Sequence, residues 1–178
     1  LTIPPGNKID FTDNNGNINV DGTLIALGTS RKKISFTRPN GAYGGKLSFS
    51  SLSSGSSLKY LILNRLGSVQ SPSNGVAMEI NTNSIAIDNL TIAGSNDTAL
   101  SIINGSPVIT NSVFQLNKNG VVSKKGKSVF TNCQFINNKF GLRNISLVST
   151  DTVDARNCWW NRSTGPRIAT NPTGTGDS

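Results

Sequence analysis

The chain has 178 residues, a net charge of +8 and no histidine, with Asn and Ser 23 times each, Gly 18 times and Glu once. That length fits one domain with a substantial core, and few helix formers beside many β-branched and turn residues predict an all-β fold with frequent bends. The lack of His excludes a Ser-His-Asp triad or a His-ligated metal within the chain, and no run of about 18 apolar residues is present to span a membrane.

In chain order, "LTIPPGNKIDF" (1 to 11) opens with short apolar stretches and no amphipathic helix. "INVDGTLIALGTSRKKISFT" (18 to 37) and "GAYGGKLSF" (41 to 49) follow, strand-like runs punctuated by Gly. A repeat then begins faintly at "SSLKYLILNRLG" (56 to 67). It returns as "SIAIDNLTIAGSN" (84 to 96), "VITNSVFQLNKN" (108 to 119), "VFTNCQFINN" (129 to 138) and "DARNCWWNRS" (154 to 163). The aligned residues are Tyr60, Asn89, Asn111, Asn132 and Asn157, spaced 29, 22, 21 and 25 apart.

Columns on either side of the Asn behave alike. Two before it stand Leu58, Ile87, Ile109, Phe130 and Ala155; one after it stand Leu61, Leu90, Ser112, Cys133 and Cys158; three after it stand Leu63, Ile92, Phe114, Phe135 and Trp160. The columns between are polar or mixed, and such period-2 alternation marks strands with one buried face. The alternation slips by one residue across the Asn, as a bend there would require. A second strand set, "GVAMEI" (75 to 80), "ALSII" (99 to 103), "GVVSK" (120 to 124) and "GLRNI" (141 to 145), is led by Gly or Ala at 75, 99, 120 and 141.

Hairpins at this spacing would make a sandwich or barrel. A sandwich, however, has no reason to repeat Asn at one bend. In a solenoid, rungs stack about 4.8 Å apart and an Asn column becomes a ladder of side-chain amides. The expectation is one domain over 1–178, all-β, a right-handed parallel β-helix of about seven rungs with an Asn ladder.

These repeats resemble the right-handed parallel β-helix repeats of the pectate-lyase-like superfamily. "INVDGTLIALGTSRKKISFT" with "GAYGGKLSF" resembles the entry rungs of secreted bacterial β-helix proteins, and "ARNCWWNRSTGP" (155 to 166) with "NPTGTGD" (171 to 177) resembles their closing rung. Tyr43 stands where Trp is common, and Asn161 where Gly is usual. The resemblance spans nearly the whole chain and implies a secreted or cell-surface protein, excised from a longer one that continues past "GTGD". It does not select a function, because such folds carry lyases, hydrolases, epimerases and non-catalytic surface modules.

Enzymes of that superfamily need acidic clusters, either to hold calcium or as paired carboxylates for acid and base work. Here only Asp151 and Asp154 are close in sequence, and no two acids share a column in adjacent rungs, so the nine acids read as solvated or turn residues. The expectation is a non-catalytic extracellular module for carbohydrate binding, adhesion or scaffolding, with no cofactor and no metal. A polysaccharide lyase or hydrolase-like domain, and a structural stalk or filament subunit, remain as alternatives.

The positive charge favours polyanions. "SKKGK" (123 to 127) lacks the interleaved aromatics that stack bases, so an acidic polysaccharide is expected as partner and nucleic acid is not. The ligand-binding candidates are Lys124, Lys125, Lys127, Arg143, Arg156 and Trp159, with Lys124 and Arg143 on adjacent rungs. For Trp159 the alternatives are stacking on a sugar ring or packing under the loop that follows, the latter favoured. An ice-binding Thr array is disfavoured, because Asp88 and Arg156 interrupt the Thr110 and Thr131 column. Neighbouring domains or another copy are expected to cover the ends of the stack. Cys133 and Cys158, the two cysteines, share an inward column and are expected to be stacked free thiols, a disulfide between in-register strands being awkward.

Overall fold

Residues 1–39, 42–68 and 74–177 are described by the structure, a computed structural model; Gly41, which opens "GAYGGKLSF", lies outside them. The chain winds as a parallel β-helix with two hydrogen-bonded sheets, here A and B. Its first turn comprises β1 (Thr2–Ile3) and β2 (Lys8–Asp10) on sheet A, then β3 (Asn17–Val20) on sheet B. The second comprises β4 (Ile25–Leu27), β5 (Ile34–Thr37) and then β6 (Lys46–Phe49). The third and fourth pair the long strands β7 (Ser56–Asn64) and β9 (Ile85–Ala93) with β8 (Val76–Ile80) and β10 (Thr98–Ile102). β11 (Val108–Thr110), β12 (Val113–Gln115) and β13 (Asn119–Ser123) make the fifth turn, and β14 (Ser128–Ile136) with β15 (Phe140–Asn144) the sixth. β16 (Val153–Trp159) crosses sheet A once more, and no described strand returns on sheet B.

The stack therefore has about six turns rather than seven. After β16 the chain leaves the helical path and folds into a strap, held by bridges between Pro166 and Gly176 and between Ile168 and Asn171. Pro, Gly and polar residues in "RSTGPRIATNPTGTGD" offer no apolar alternation for another rung. No helix forms among the described residues.

Sheet A folds at the expected bend. Tyr60, Asn89, Asn111 and Asn132 have φ of 51°, 55°, 51° and 55°, the left-handed region that Asn tolerates best after Gly. The side chains of Asn111 and Asn132 form an outer ladder that starts from Asp88: Asn111 Nδ2 donates to Asp88 Oδ1 at 2.7 Å, and Asn132 Nδ2 to Asn111 Oδ1 at 2.6 Å. Asn157 does not join it. Thr131 pairs with Asn157 instead of Arg156, and Gln134 with Trp159, so the last rung carries compensating bulges.

Inside, the expected columns hold as far as β14, and the bulges at β16 break the expected stacking of Cys158 on Cys133. Ile9, Phe36, Leu63, Ile92, Phe114 and Phe135 align strand by strand. The rings of Phe114 and Phe135 stack at 5.5 Å, and those of Phe135 and Trp160 at 4.5 Å. Burying each such side chain stabilises by about 1.5–3 kcal/mol.

The small-residue column on sheet B needs one correction. Thr98 pairs with Val76 and Asn119, which puts Ala77, not Gly75, level with Ala99, Gly120 and Gly141. A Cβ on Gly141 would sit 3.1 Å from Trp160 and 3.2 Å from Phe135 Cβ, and one on Gly120 would meet the Gly141 carbonyl. The column is small because the aromatic stack lies directly beneath it.

A buried polar ladder runs beside that stack. Asn117 Oδ1 accepts from Ser95 N at 2.8 Å and Ser95 Oγ at 2.6 Å. Asn138 Oδ1 accepts from Asn117 N at 3.1 Å and Nδ2 at 2.9 Å, while Asn138 Nδ2 donates to Phe114 O at 2.9 Å. The last step comes from the strap: Asp177 Oδ2 accepts from Asn138 N and Nδ2 at 2.8 and 2.9 Å. Three turn N–H groups and the Phe114 carbonyl are thereby satisfied in the interior.

Candidate functional site

The outer face of sheet B carries side chains from every rung, among them the buried Ser48 and Ser101. Alternation sends Leu47, Met78, Leu100 and Val121 into the core and aims Asn19, Ser48, Glu79, Ser101, Val122 and Arg143 the other way. Asn19 pairs with Ser48, Ser48 with Glu79, Glu79 with Ser101, Ser101 with Val122 and Val122 with Arg143. One column thus crosses all six turns, a span of about 24 Å at about 4.8 Å per rung.

At the first three rungs this face holds a groove of about 400 Å³, bordered by Asn17, Asn19, Asp21, Lys46, Glu79 and Asn81. Lys46 is only 6% exposed and its ammonium lies 3.5 Å from Glu79 Oε1. Ser48 Oγ and Asn17 Oδ1 are buried at the groove and make no hydrogen bond among the described residues. Unsatisfied buried polar atoms are uncommon in folded proteins and invite a ligand or water. Sequence reasoning missed this groove, since its residues are spread over more than 60 positions. The available signal was Lys46, a charge inside the buried strand "KLSF".

Farther along lie four of the basic candidates, Lys124 and Arg143 at the end of this face and Lys125 and Lys127 in the turn that follows β13. Arg143 extends from β15, and its guanidinium carbon sits 5.1 Å from the Phe140 ring centroid, a cation–π contact that directs the side chain. Lys124 follows Ser123, the last registered residue of β13, and so lies diagonal to Arg143 on the neighbouring rung. Lys125 and Lys127 flank Gly126 in the turn to β14, with Lys127 N donating to Ser106 Oγ at 2.8 Å. All four are exposed, and none makes an ion pair with a described residue.

Arg156 and Trp159 are not part of this cluster. Both belong to β16 on sheet A, on opposite sides of its bend. The Arg156 guanidinium forks onto Asp154, Nε to Oδ1 at 3.0 Å and Nη2 to Oδ2 at 2.7 Å. Those bonds hold the Asp154 carboxyl below its ordinary range and raise Arg156. Trp159, set beside Gln134, is 47% exposed, so the loop that follows leaves much of its indole open. The six candidates therefore fall on three surfaces, and only the Lys124, Lys125, Lys127 and Arg143 group is contiguous.

Asp88 is more ordered than a solvated acid. Burial pushes its carboxyl up, but hydrogen bonds from Asn111, Asn89, Thr110 and Lys59 outweigh it and hold it at about 2. Lys59 Nζ is 3.3 Å away and Thr110 Oγ1 2.9 Å. These partners occupy the carboxylate, which reads as the anchor of the outer ladder and not as a free acid. Among the described residues, no three His, Cys, Asp or Glu side chains converge as metal ligands.

The last rung presents a third surface. Leu142, Val153, Ala155, Trp160, Pro166 and Ile168, with the candidate Arg156 among them, line a cavity of about 350 Å³ between β16 and the strap. Ile145, Leu147 and Val148, in the connection from β15 to β16, are exposed. The strap covers part of the apolar cross-section and leaves the rest to solvent. Comparison of the chain with protein-family models, curated proteins and solved structures finds no match, so its geometry establishes a parallel β-helix and nothing narrower.

Proposed function

We propose that this β-helix is a secreted or surface-displayed module of the pectate-lyase-like superfamily that binds an acidic polysaccharide, without catalysis, along the outer face of sheet B. The observation that carries the reading is the contiguous cluster of Lys124, Lys125, Lys127 and Arg143, exposed and free of ion pairs with described residues. Carboxylates or sulfates spaced along an extended glycan would meet cations on successive rungs through charge-assisted hydrogen bonds. The polar groove at Asn17, Asn19, Ser48 and Asn81 would take hydroxyls of the same chain.

A glycan array read at low and high salt tests this. Acidic glycans should bind at low salt and weaken at high salt. Lys124→Glu and Arg143→Glu should each weaken binding about tenfold, the loss of a charged hydrogen bond of about 1.5 kcal/mol. Retention of full affinity by the double variant would overturn the assignment. Release of unsaturated uronides would overturn its non-catalytic part and favour the lyase alternative, for which Asp21, Lys46 and Glu79 around one groove would be the residues to pursue.

A second reading has its own observation. The incompletely covered apolar end at Leu142, Trp160 and Ile168 favours contact with a neighbouring domain or another copy. Concentration-dependent association in sedimentation experiments would support it, and a strictly monomeric species would remove the second copy.

A further inference from the structure

Cys133 on β14 and Cys158 on β16 are free and belong to adjacent rungs. They are not stacked in simple register. Between the pairs Thr131–Asn157 and Gln134–Trp159, β14 has two residues, Asn132 and Cys133, and β16 has one, Cys158. The bulge sets Cys158 against that pair, removing the in-register stacking that disfavours a disulfide. The thiols differ in access. Cys133 is buried, its Sγ 3.5 Å from the carbonyl oxygens of Ile109 and Thr131. Cys158 is half-buried, its Sγ 3.4 Å from Phe130 O. The neighbouring Cys158 sulfur, together with burial, pushes Cys133 up and keeps it protonated. The neighbouring Cys133 thiol in turn lowers Cys158. A protonated inner thiol therefore faces an outer sulfur that ionises more readily.

We propose that Cys133 and Cys158 form a reversible oxidation site, in which hydroperoxide closes a disulfide that ties the last rung, β16, to β14. The Cys158 thiolate attacks one oxygen of hydrogen peroxide, the O–O bond breaks, and hydroxide leaves and is protonated to water. Cys158 is then a sulfenic acid. The Cys133 sulfur attacks that sulfur and the S–O bond breaks. Hydroxide departs with the Cys133 proton as a second water. Two thiols lose two electrons, and one peroxide becomes two waters. The closed bond constrains an edge strand that sheet A holds from one side only. It rests on no assumption about the ligand.

Peroxide treatment of the folded protein, followed by intact mass and by thiol counting under denaturing, non-reducing conditions, tests the site. Two titratable thiols should fall to none, the mass should drop by two hydrogens in a monomer, and dithiothreitol should restore both. In Cys133→Ser, oxidation should stop at a Cys158 sulfenic acid trapped by a cyclic dione. In Cys158→Ser, the buried Cys133 should resist peroxide. The wild-type mass decides the matter should either variant fail to fold. Two thiols persisting after treatment, a disulfide-linked dimer, or sulfinic acid without an internal disulfide would each overturn the proposal.

Discussion

Two asparagine ladders climb this helix, one outside and one inside. The outer one, Asn111 and Asn132, occupies left-handed bends and starts from Asp88. The inner one, Ser95, Asn117, Asn138 and Asp177, is buried and pairs the peptides of the next corner. The outer Asn residues are selected by backbone conformation, and water can replace much of what their amides do. The inner ones are selected by the cost of leaving buried donors and acceptors unpaired. The same residue type serves two physical needs six positions apart in one repeat.

The largest expected effect separates the two needs. Asn138→Ala would orphan Asn117 N and Phe114 O in the interior and leave Asn117 Nδ2 only its 3.4 Å bond to Ile92 O; at about 1–3 kcal/mol for each unpaired group, a net loss of roughly 3 kcal/mol is expected. Asn132→Ala keeps the same fold at a cost of about 1–2 kcal/mol for a left-handed non-Gly residue. Urea unfolding of both variants with unchanged m-values measures the gap. Equal losses would show that burial is not what distinguishes the ladders.

Acid should act on the outer ladder through its anchor. The Asp88 carboxyl is held at about 2 in the fold against 3.8 ordinarily. A depressed carboxyl contributes stability that is present above its unfolded value and is lost as pH falls through its folded one. Between about pH 4 and pH 2 the wild type should lose roughly 1–2 kcal/mol that Asp88→Asn does not, after discounting for a side chain 29% exposed. Parallel pH profiles for the two proteins would refute the anchor role.

The smallest effect lies at a second left-handed column, Arg65, Gly94, Leu116, Asn137 and Asn161. Leu116 has φ 59° and is 61% exposed, so its side chain gains little from packing. Leu116→Asn should stabilise by about 1 kcal/mol, read as a rise in urea midpoint.

Much of the winding was legible beforehand. Alternation placed Leu63, Ile92, Phe114, Phe135 and Trp160 in one core column, and the phase slip placed the bend at Asn89, Asn111 and Asn132. The inner ladder carried a periodic signal too, with Ser95 to Asn117 and Asn117 to Asn138 separated by 22 and 21 residues. It went unread because Asn in a turn is ordinarily explained by the turn. Asp177 carried no such signal, since it is 39 residues from Asn138 and reaches the ladder only through the strap. Among the basic candidates, the adjacency of Lys124 and Arg143 was legible, but the separation of Arg156 from them was not. Lys124 and Arg143 adjoin because β13 and β15 pair, whereas Arg156 was drawn off by Asp154, two positions away.

By itself the sequence determined the repeat, the inward columns and the outer bend, because strand periodicity and left-handed propensity are local properties of the chain. Tertiary structure alone decided where the stack ends, that Lys46, Glu79 and Asp21 border one groove, and that Cys158 meets Cys133 across a bulge. Each of those depends on how one rung is set against another, and register between rungs is fixed by packing and hydrogen bonding across the sheet.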